Sequence, residues 1–332
     1  MAGKPEDDHF RREGLAVRKE RLYGLMLAGS AVLTLVVTLG IILSLLGQTL
    51  VFFSEVSVVE FLTGTEWSPR IGEPSYGVLP LLSGTLIVTV VSALIALPVG
   101  LAIAVYLSEY ASTRVRSVLK PALEILASVP TVIYGYFALV YLTPILDAPL
   151  PLSATLVPAG LPVVPEFTLV FPSLRTFNAL SASIVVGVMI IPMVSSISED
   201  ALSSVPDSLR EAGYGLGSTK FDVSTRVVVP AATSGIISSY VLALSRAIGE
   251  TMAVTIAMGT NPRMPTFPNL FENLAQGGQP ITAAMVQVAQ AESRGGVVFE
   301  SMFALGMTLF VFTLLMNVLA EAVRRRYREE YD

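Results

Sequence analysis

Apolar and polar stretches alternate along the chain, and the apolar ones are long. They cover about residues 22–51, 79–107, 122–142, 179–197, 235–258 and 301–323. Each is near or above the roughly 20 residues that cross about 30 Å of hydrocarbon as a helix. The pattern predicts an all-α membrane protein with six transmembrane helices. A polar tail, 1–21, precedes the first run, and a short basic tail, 324–332, follows the last. The first run exceeds the roughly 7–15 residues of a signal-peptide core, and no small-x-small site follows it, so it is expected to be retained. Pro98 and Pro192 fall inside predicted spans, where neighbouring helices can satisfy a freed carbonyl. Pro130 and Gly135 predict a bend in the third span. Thr143–Leu174 is also apolar, but it carries seven prolines, which a continuous helix would not tolerate. It is expected to be an external loop or a lid. Ser108–Lys120, Ser198–Ser234 and Gly259–Glu300 read as polar connections between spans.

Composition agrees with this pattern. Apolar residues make up 53% and charged residues 14%, against about 25% charged in soluble domains. A net charge of −5 gives no reason to expect a nucleic-acid partner. With no cysteine there is no thiol chemistry, and a single histidine, His9, leaves no second imidazole to share a metal. Charge placement sets an orientation. With the N-terminus inside, the inner segments hold 16 Lys and Arg and the outer loops 4. That asymmetry predicts both termini and the 198–234 connection in the cytoplasm.

That connection, Ser198–Ser234, holds the first candidate site. Pro206 and Asp207 suit a helix first turn, and Gly217 is placed to end that helix in a left-handed cap. A second short helix, about Lys220–Val228, is expected to stop before Pro230. Ala212, Gly213, Gly215 and Gly217 keep the surface low enough for another protein to approach, and Glu211 offers a charge. An ordinary inter-span loop is an equal reading of these residues. A DNA-reading helix-turn-helix is excluded by the close membrane spans and by only three cations, Arg210, Lys220 and Arg226. The P-loop string Gly-x-x-x-x-Gly-Lys-Ser/Thr occurs nowhere, so any ATP hydrolysis must sit on another polypeptide.

The second site is Arg246 and Glu250, in the middle of the fifth apolar run. In a continuous helix this i,i+4 spacing puts both on one face, Arg246 roughly 15 Å into the bilayer. A lipid-facing charge there costs about 2.5–3.5 kcal/mol, so both should face the bundle interior or a wet cavity. A structural salt bridge is one reading. A transient anion site is the other: the guanidinium fork matches an oxyanion, and the carboxylate can accept a hydrogen bond from a protonated one such as hydrogen phosphate.

Glu211, Ala212, Gly217, Val227, Val229 and Pro230 stand at the spacing of the EAA loop of ATP-binding-cassette importer permeases, which this segment resembles. Gly213 replaces the second Ala, and Val stands for Ile and Leu. Arg246–Val254, Arg-Ala-Ile-Gly-Glu-Thr-Met-Ala-Val, is similar to the signature of PstC-type permease subunits of phosphate importers. So are Leu107–Ala111, Val129–Gly135 and Ser198–Leu202 with Val205 and Pro206. The resemblance covers roughly residues 80–260. It implies the type I importer permease fold, with Glu211, Ala212, Gly217 and Pro230 coupling to an ATPase and with Arg246 and Glu250 on the substrate path. It also implies a second homologous permease subunit, two cytosolic ATP-binding subunits and an extracytoplasmic phosphate-binding protein. All would assemble in a bacterial or archaeal cytoplasmic membrane. The chain itself would be no enzyme and hold no cofactor, ATP being used by its partners. Alternatives are a permease for sulfate or molybdate, a proton-coupled secondary transporter using Glu250, and a signalling scaffold without flux.

Overall fold

The computed structural model describes residues 13–70, 73–147, 173–267, 269–290 and 295–326. Among the described residues the architecture is helical, with one two-stranded pair, Trp67–Ser68 against Ser75–Tyr76. The helices are α1 (Glu13–Glu55), α2 (Val58–Thr63), α3 (Leu79–Val105), α4 (Thr113–Ser128), α5 (Thr131–Phe137) and α6 (Ala179–Ser203). They continue with α7 (Asp207–Gly215), α8 (Lys220–Val223), α9 (Thr233–Ile248), α10 (Met252–Met258), α11 (Leu270–Ala275), α12 (Ile281–Ala289) and α13 (Val297–Arg326). Among the described residues four helices are long and apolar enough to cross a membrane: Lys19–Glu55, Leu79–Tyr110, Ala179–Ser203 and Val297–Val323. Two bent pairs raise the number to six if each pair is one span.

α6 is the core helix. Val186, Ile190 and Val194 are buried along it, together with Ala243 and Ala247 of α9 and Val88 and Ala96 of α3. α3 and α6 run parallel at very short range. A side chain at Gly100 would meet Val194 at 2.6 Å, and one at Gly187 would meet the Ser92 carbonyl at 3.3 Å. Small residues at such crossings let helix backbones approach where lipid offers no hydrophobic drive. α1 is the opposite case: its most apolar 18-residue window has no residue buried within the chain. Its C-terminal half packs on α13, where a Cβ at Gly306 would meet Leu45 at 3.2 Å, and at its end Phe52 meets Phe61 and Tyr76 edge-on, Tyr76 in turn meeting Trp67.

Several expectations about connections are corrected. Ser108–Lys120 is not a loop. α3 continues through a π-helical turn to Tyr110, and α4 starts at Thr113 with the Ser112 hydroxyl accepting from Val115 N–H at 3.4 Å. Two cations of this stretch, Arg116 and Lys120, stand four residues apart and reach α6. Glu199 of α6 is fully buried and takes Arg116 on one oxygen and Lys120, at 2.7 Å, on the other. Lys120 also reaches Asp200 at 3.0 Å. The bend expected in the third span is present at Pro130, and it is sharp. α4 and α5 meet at 86°, because Pro130 forces Val129 out of the helical region (φ −63°, ψ 129°) and then opens α5. Helix continues from α5 through Ala138–Leu142 to Thr143–Asp147, inside the segment expected to be loop. The remainder of the predicted lid, 148–172, lies outside the described residues. Gly259–Glu300 contains α11 and α12 rather than only loop, and α13 begins at Val297, before residue 301.

Candidate functional site

The cytoplasm-assigned segment folds from local signals. Asp207 sits in the first turn of α7, and the Leu209 N–H bonds the Pro206 carbonyl at 3.2 Å. The helix ends in a Schellman motif: Gly217 N–H on Tyr214 O at 2.9 Å and Ser218 N–H on Gly213 O at 3.2 Å. Gly217 has φ +80°, the left-handed conformation a Cβ would oppose. The Thr219 hydroxyl then caps α8, accepting from Asp222 N–H at 3.2 Å. The stop expected before Pro230 does not occur. Helix runs from α8 through a π turn, Ser224–Val228, into Val229–Ala231, and breaks at Ala232 with a 70° bend into α9. The widened turn accommodates the proline ring, so the break falls after it.

The segment is clamped to the chain by contacts absent from the sequence reading. Arg210 donates to the buried Glu109 carboxylate at 3.0 and 3.3 Å and to the Leu202 carbonyl at 2.8 Å. Lys220 Nζ stands 5.0 Å from the centre of the Tyr110 ring. Both partners are in the turn that ends α3, so α7 and α8 are fixed to that helix. Gly213 is not free for a partner's approach. A Cβ there would meet Val223 at 2.9 Å, so its role is to seat α7 on α8. Gly215 and Gly217 have open space beside them, and Glu211, Ala212 and Pro230 are exposed. The outward surface is more apolar than expected: Leu216 is 88% and Phe221 67% exposed.

The fifth span departs most from the sequence reading. It is not one helix. α9 ends at Ile248, Gly249 and Glu250 close it in tight turns, and α10 starts at Met252. The Glu250 side chain folds back to cap α10, its Oε1 accepting from Thr251 N–H at 3.1 Å and Ala253 N–H at 3.2 Å. Arg246 approaches the other carboxylate oxygen at 3.8 Å. Arg246 and Glu250 are therefore brought together, but across a helix end. The carboxylate is buried, while the Arg246 side chain is 48% exposed. The signal for the break is present in the sequence. Gly249 is a weak helix former, and the acceptor side chains of Glu250 and Thr251 compete for backbone partners.

Around the break, α12 enters from the 259–280 connection. The Thr282 hydroxyl donates to the Glu250 carbonyl at 3.1 Å, and Ile281 N–H donates to the buried Thr85 hydroxyl of α3 at 3.1 Å. Two cavities lie elsewhere. One, of about 280 Å³, is between α4 and α6, lined by Lys120, Glu124, Pro192 and Glu199 among others. The other holds about 10 Å³, room for a single water, beside Arg263 and Asn273. Burial holds the Arg263 guanidinium below its usual pKa; Glu272 opposes that shift and Arg175 adds to it. Among the described residues no group of His, Cys, Asp and Glu could hold a metal.

Comparisons with known proteins bear on the family and the fold. Residues 96–329 match the family described as binding-protein-dependent transport system inner membrane component. The chain is 34% identical over 303 residues to the probable ABC transporter permease protein YqgH of Bacillus subtilis, covering 91% of this chain and 87% of that protein. It is 33% identical over 305 residues to the phosphate transport system permease protein PstC of Mesorhizobium japonicum, covering 90% and 87%. In structure it resembles a chain of a bacterial ABC transporter for alginate import, with a TM-score of 0.60 and 15% identity over 96% of this chain and all of that one. It resembles a chain of the MetNI methionine ABC transporter with a TM-score of 0.52 and 16% identity over 76% of this chain and 95% of that one. The chain belongs to the family of binding-protein-dependent transport system inner membrane components.

Proposed function

We propose that this chain is a membrane-spanning permease subunit of an ATP-driven importer of inorganic phosphate. It would lie in a bacterial or archaeal cytoplasmic membrane with six spans, the fifth made by α9 and α10 with α8 outside it, and with both termini inside. The observation that carries the reading is the Arg246–Glu250 break in a chain a third identical to phosphate permeases. A guanidinium half exposed in the isolated chain costs too much to face lipid. It must face water or a second subunit. A second homologous permease subunit supplies the missing wall of the path, and phosphate meets Arg246 between them.

The exposed Glu211, Ala212, Leu216 and Phe221 dock on one of two cytosolic ATPase subunits. Closure of the ATPases is passed to α3 through Arg210 and Glu109. Phosphate arrives from an extracytoplasmic binding protein, and ATP is hydrolysed only on partner chains. An alginate transporter of the same fold, solved in complex with a pentasaccharide-bound periplasmic protein, supports this layout. Glu250 is already engaged by two backbone N–H groups and Arg246, so its carboxylate serves as the cap of α10. The test is purification of the intact complex followed by uptake with competing anions. Co-purification of a P-loop ATPase and of a secreted phosphate binder is expected, with uptake of labelled phosphate that excess sulfate or molybdate does not reduce. Competition by sulfate or molybdate would move the substrate to that anion.

A further inference from the structure

We propose that Thr282 is a positioning residue for the transport site, holding open the helix break that presents Arg246 and Glu250. This rests on the reading that the break lines the path. The reason lies in the backbone. Ending α9 at Ile248 and restarting at Met252 takes the Glu250 carbonyl out of the helical ladder. α10 begins its own ladder one residue later, with Thr255 N–H on the Thr251 carbonyl at 2.8 Å. Glu250 is buried, so its carbonyl cannot turn to water. The Thr282 hydroxyl, itself buried, supplies the donor at 3.1 Å. The break is thus stable only with α12 in place.

α12 is placed by other elements in turn. Its first N–H is taken by Thr85, whose hydroxyl donates onward to the Leu81 carbonyl at 3.0 Å. At Gly84, one residue before Thr85, a Cβ would stand 2.5 Å from the Gln279 carbonyl, so α3 and the entry to α12 are in backbone contact. The connector before α12 is tied to two more helix ends. Gly278 N–H bonds the Met258 carbonyl at 3.1 Å, at the end of α10, and Ala179 N–H, at the start of α6, bonds the Gln276 carbonyl at 2.9 Å. A displacement of the 276–280 connector therefore reaches the Glu250 carbonyl through a single hydroxyl. Thr282 touches no substrate in this scheme; it acts through the backbone that carries Glu250.

The test compares Thr282→Val, which keeps the shape and removes the donor, with Thr282→Ser, which keeps the donor. Both are assembled with the partner subunits in lipid nanodiscs and proteoliposomes, and signals are normalised to assembled complex. Amide exchange of the peptide spanning residues 249–258 should speed up at least about tenfold in Thr282→Val, the factor for roughly 1.4 kcal/mol. It should stay near the wild-type rate in Thr282→Ser. Labelled inorganic phosphate taken up per ATP hydrolysed should fall in Thr282→Val and be restored in Thr282→Ser. Equal exchange in all three proteins, or equal loss in both variants, would overturn the role of the hydroxyl. A wild-type complex that moves no phosphate but keeps the exchange difference would instead overturn the substrate and leave the positioning role standing.

Discussion

The segment from α7 to α8 and the break between α9 and α10 satisfy their charges in opposite ways. At α7 the charge is met by a side chain from another helix. Arg210 closes on Glu109, both largely buried, and the surface left outside carries two uncovered apolar side chains, Leu216 and Phe221, beside the exposed Glu211. At the break the charge is met by the chain's own backbone. Glu250 is spent on Thr251 and Ala253 N–H, and what remains outside is a guanidinium. One region is finished as a charge network and unfinished as an apolar surface. The other is finished as a backbone turn and unfinished as a charge. A protein fits the first deficit and an anion the second.

Breaking the first region at its clamp should have the largest effect. Arg210→Met leaves Glu109 buried without its cation, at a cost of about 3–5 kcal/mol. The expected outcome is a membrane-inserted chain that no longer retains the ATPase on purification, with faster proteolysis within 204–232. The matching change in the second region is Arg246→Gln. Assembled complexes should lose phosphate uptake by more than about 30-fold, the factor for ~2 kcal/mol, while retaining their ATPase. Wild-type uptake would make Arg246 a structural residue. Together the two variants separate loss of partner from loss of ion.

Subtler changes sharpen the contrast. Leu216→Asp leaves the Arg210 clamp untouched and places a charge on the most exposed apolar side chain of the segment from α7 to α8. ATPase affinity, measured by titration against the solubilised chain, should fall about tenfold or more if Leu216 lies in the docked surface. Gly217→Val strains a residue held at φ +80° by about 1–2 kcal/mol. It should weaken coupling less than Arg210→Met does, and Gly217→Asn should weaken it less again, because Asn tolerates that conformation.

The two regions also differ in how far they could be read from the chain alone. Pro206, Asp207 and Gly217 act on their own backbone within a turn, so the limits of α7 were legible. Arg246 and Glu250 were visible because charges inside an apolar run are expensive. Their arrangement was not. It depends on Thr282, 32 positions after Glu250, and on Thr85 in α3, and no local signal links residues so far apart. The same holds for Glu109 with Arg210 and for Glu199 with Arg116 and Lys120. Polar residues near helix ends look like loop when read singly. Paired across α3, α4, α6 and α7, they extend those helices instead. Gly213 shows the reverse error, a small residue assigned to an outside partner that is used against Val223.

The central claim is that ATP on partner chains, not an ion gradient across this one, moves the anion past Arg246. Uptake of labelled phosphate into sealed vesicles decides it, with ATP or a pH gradient as the only energy source. The account predicts uptake by the assembled complex with ATP and a gradient of zero, and none from the gradient with this chain alone. Gradient-driven uptake by this chain alone would contradict it.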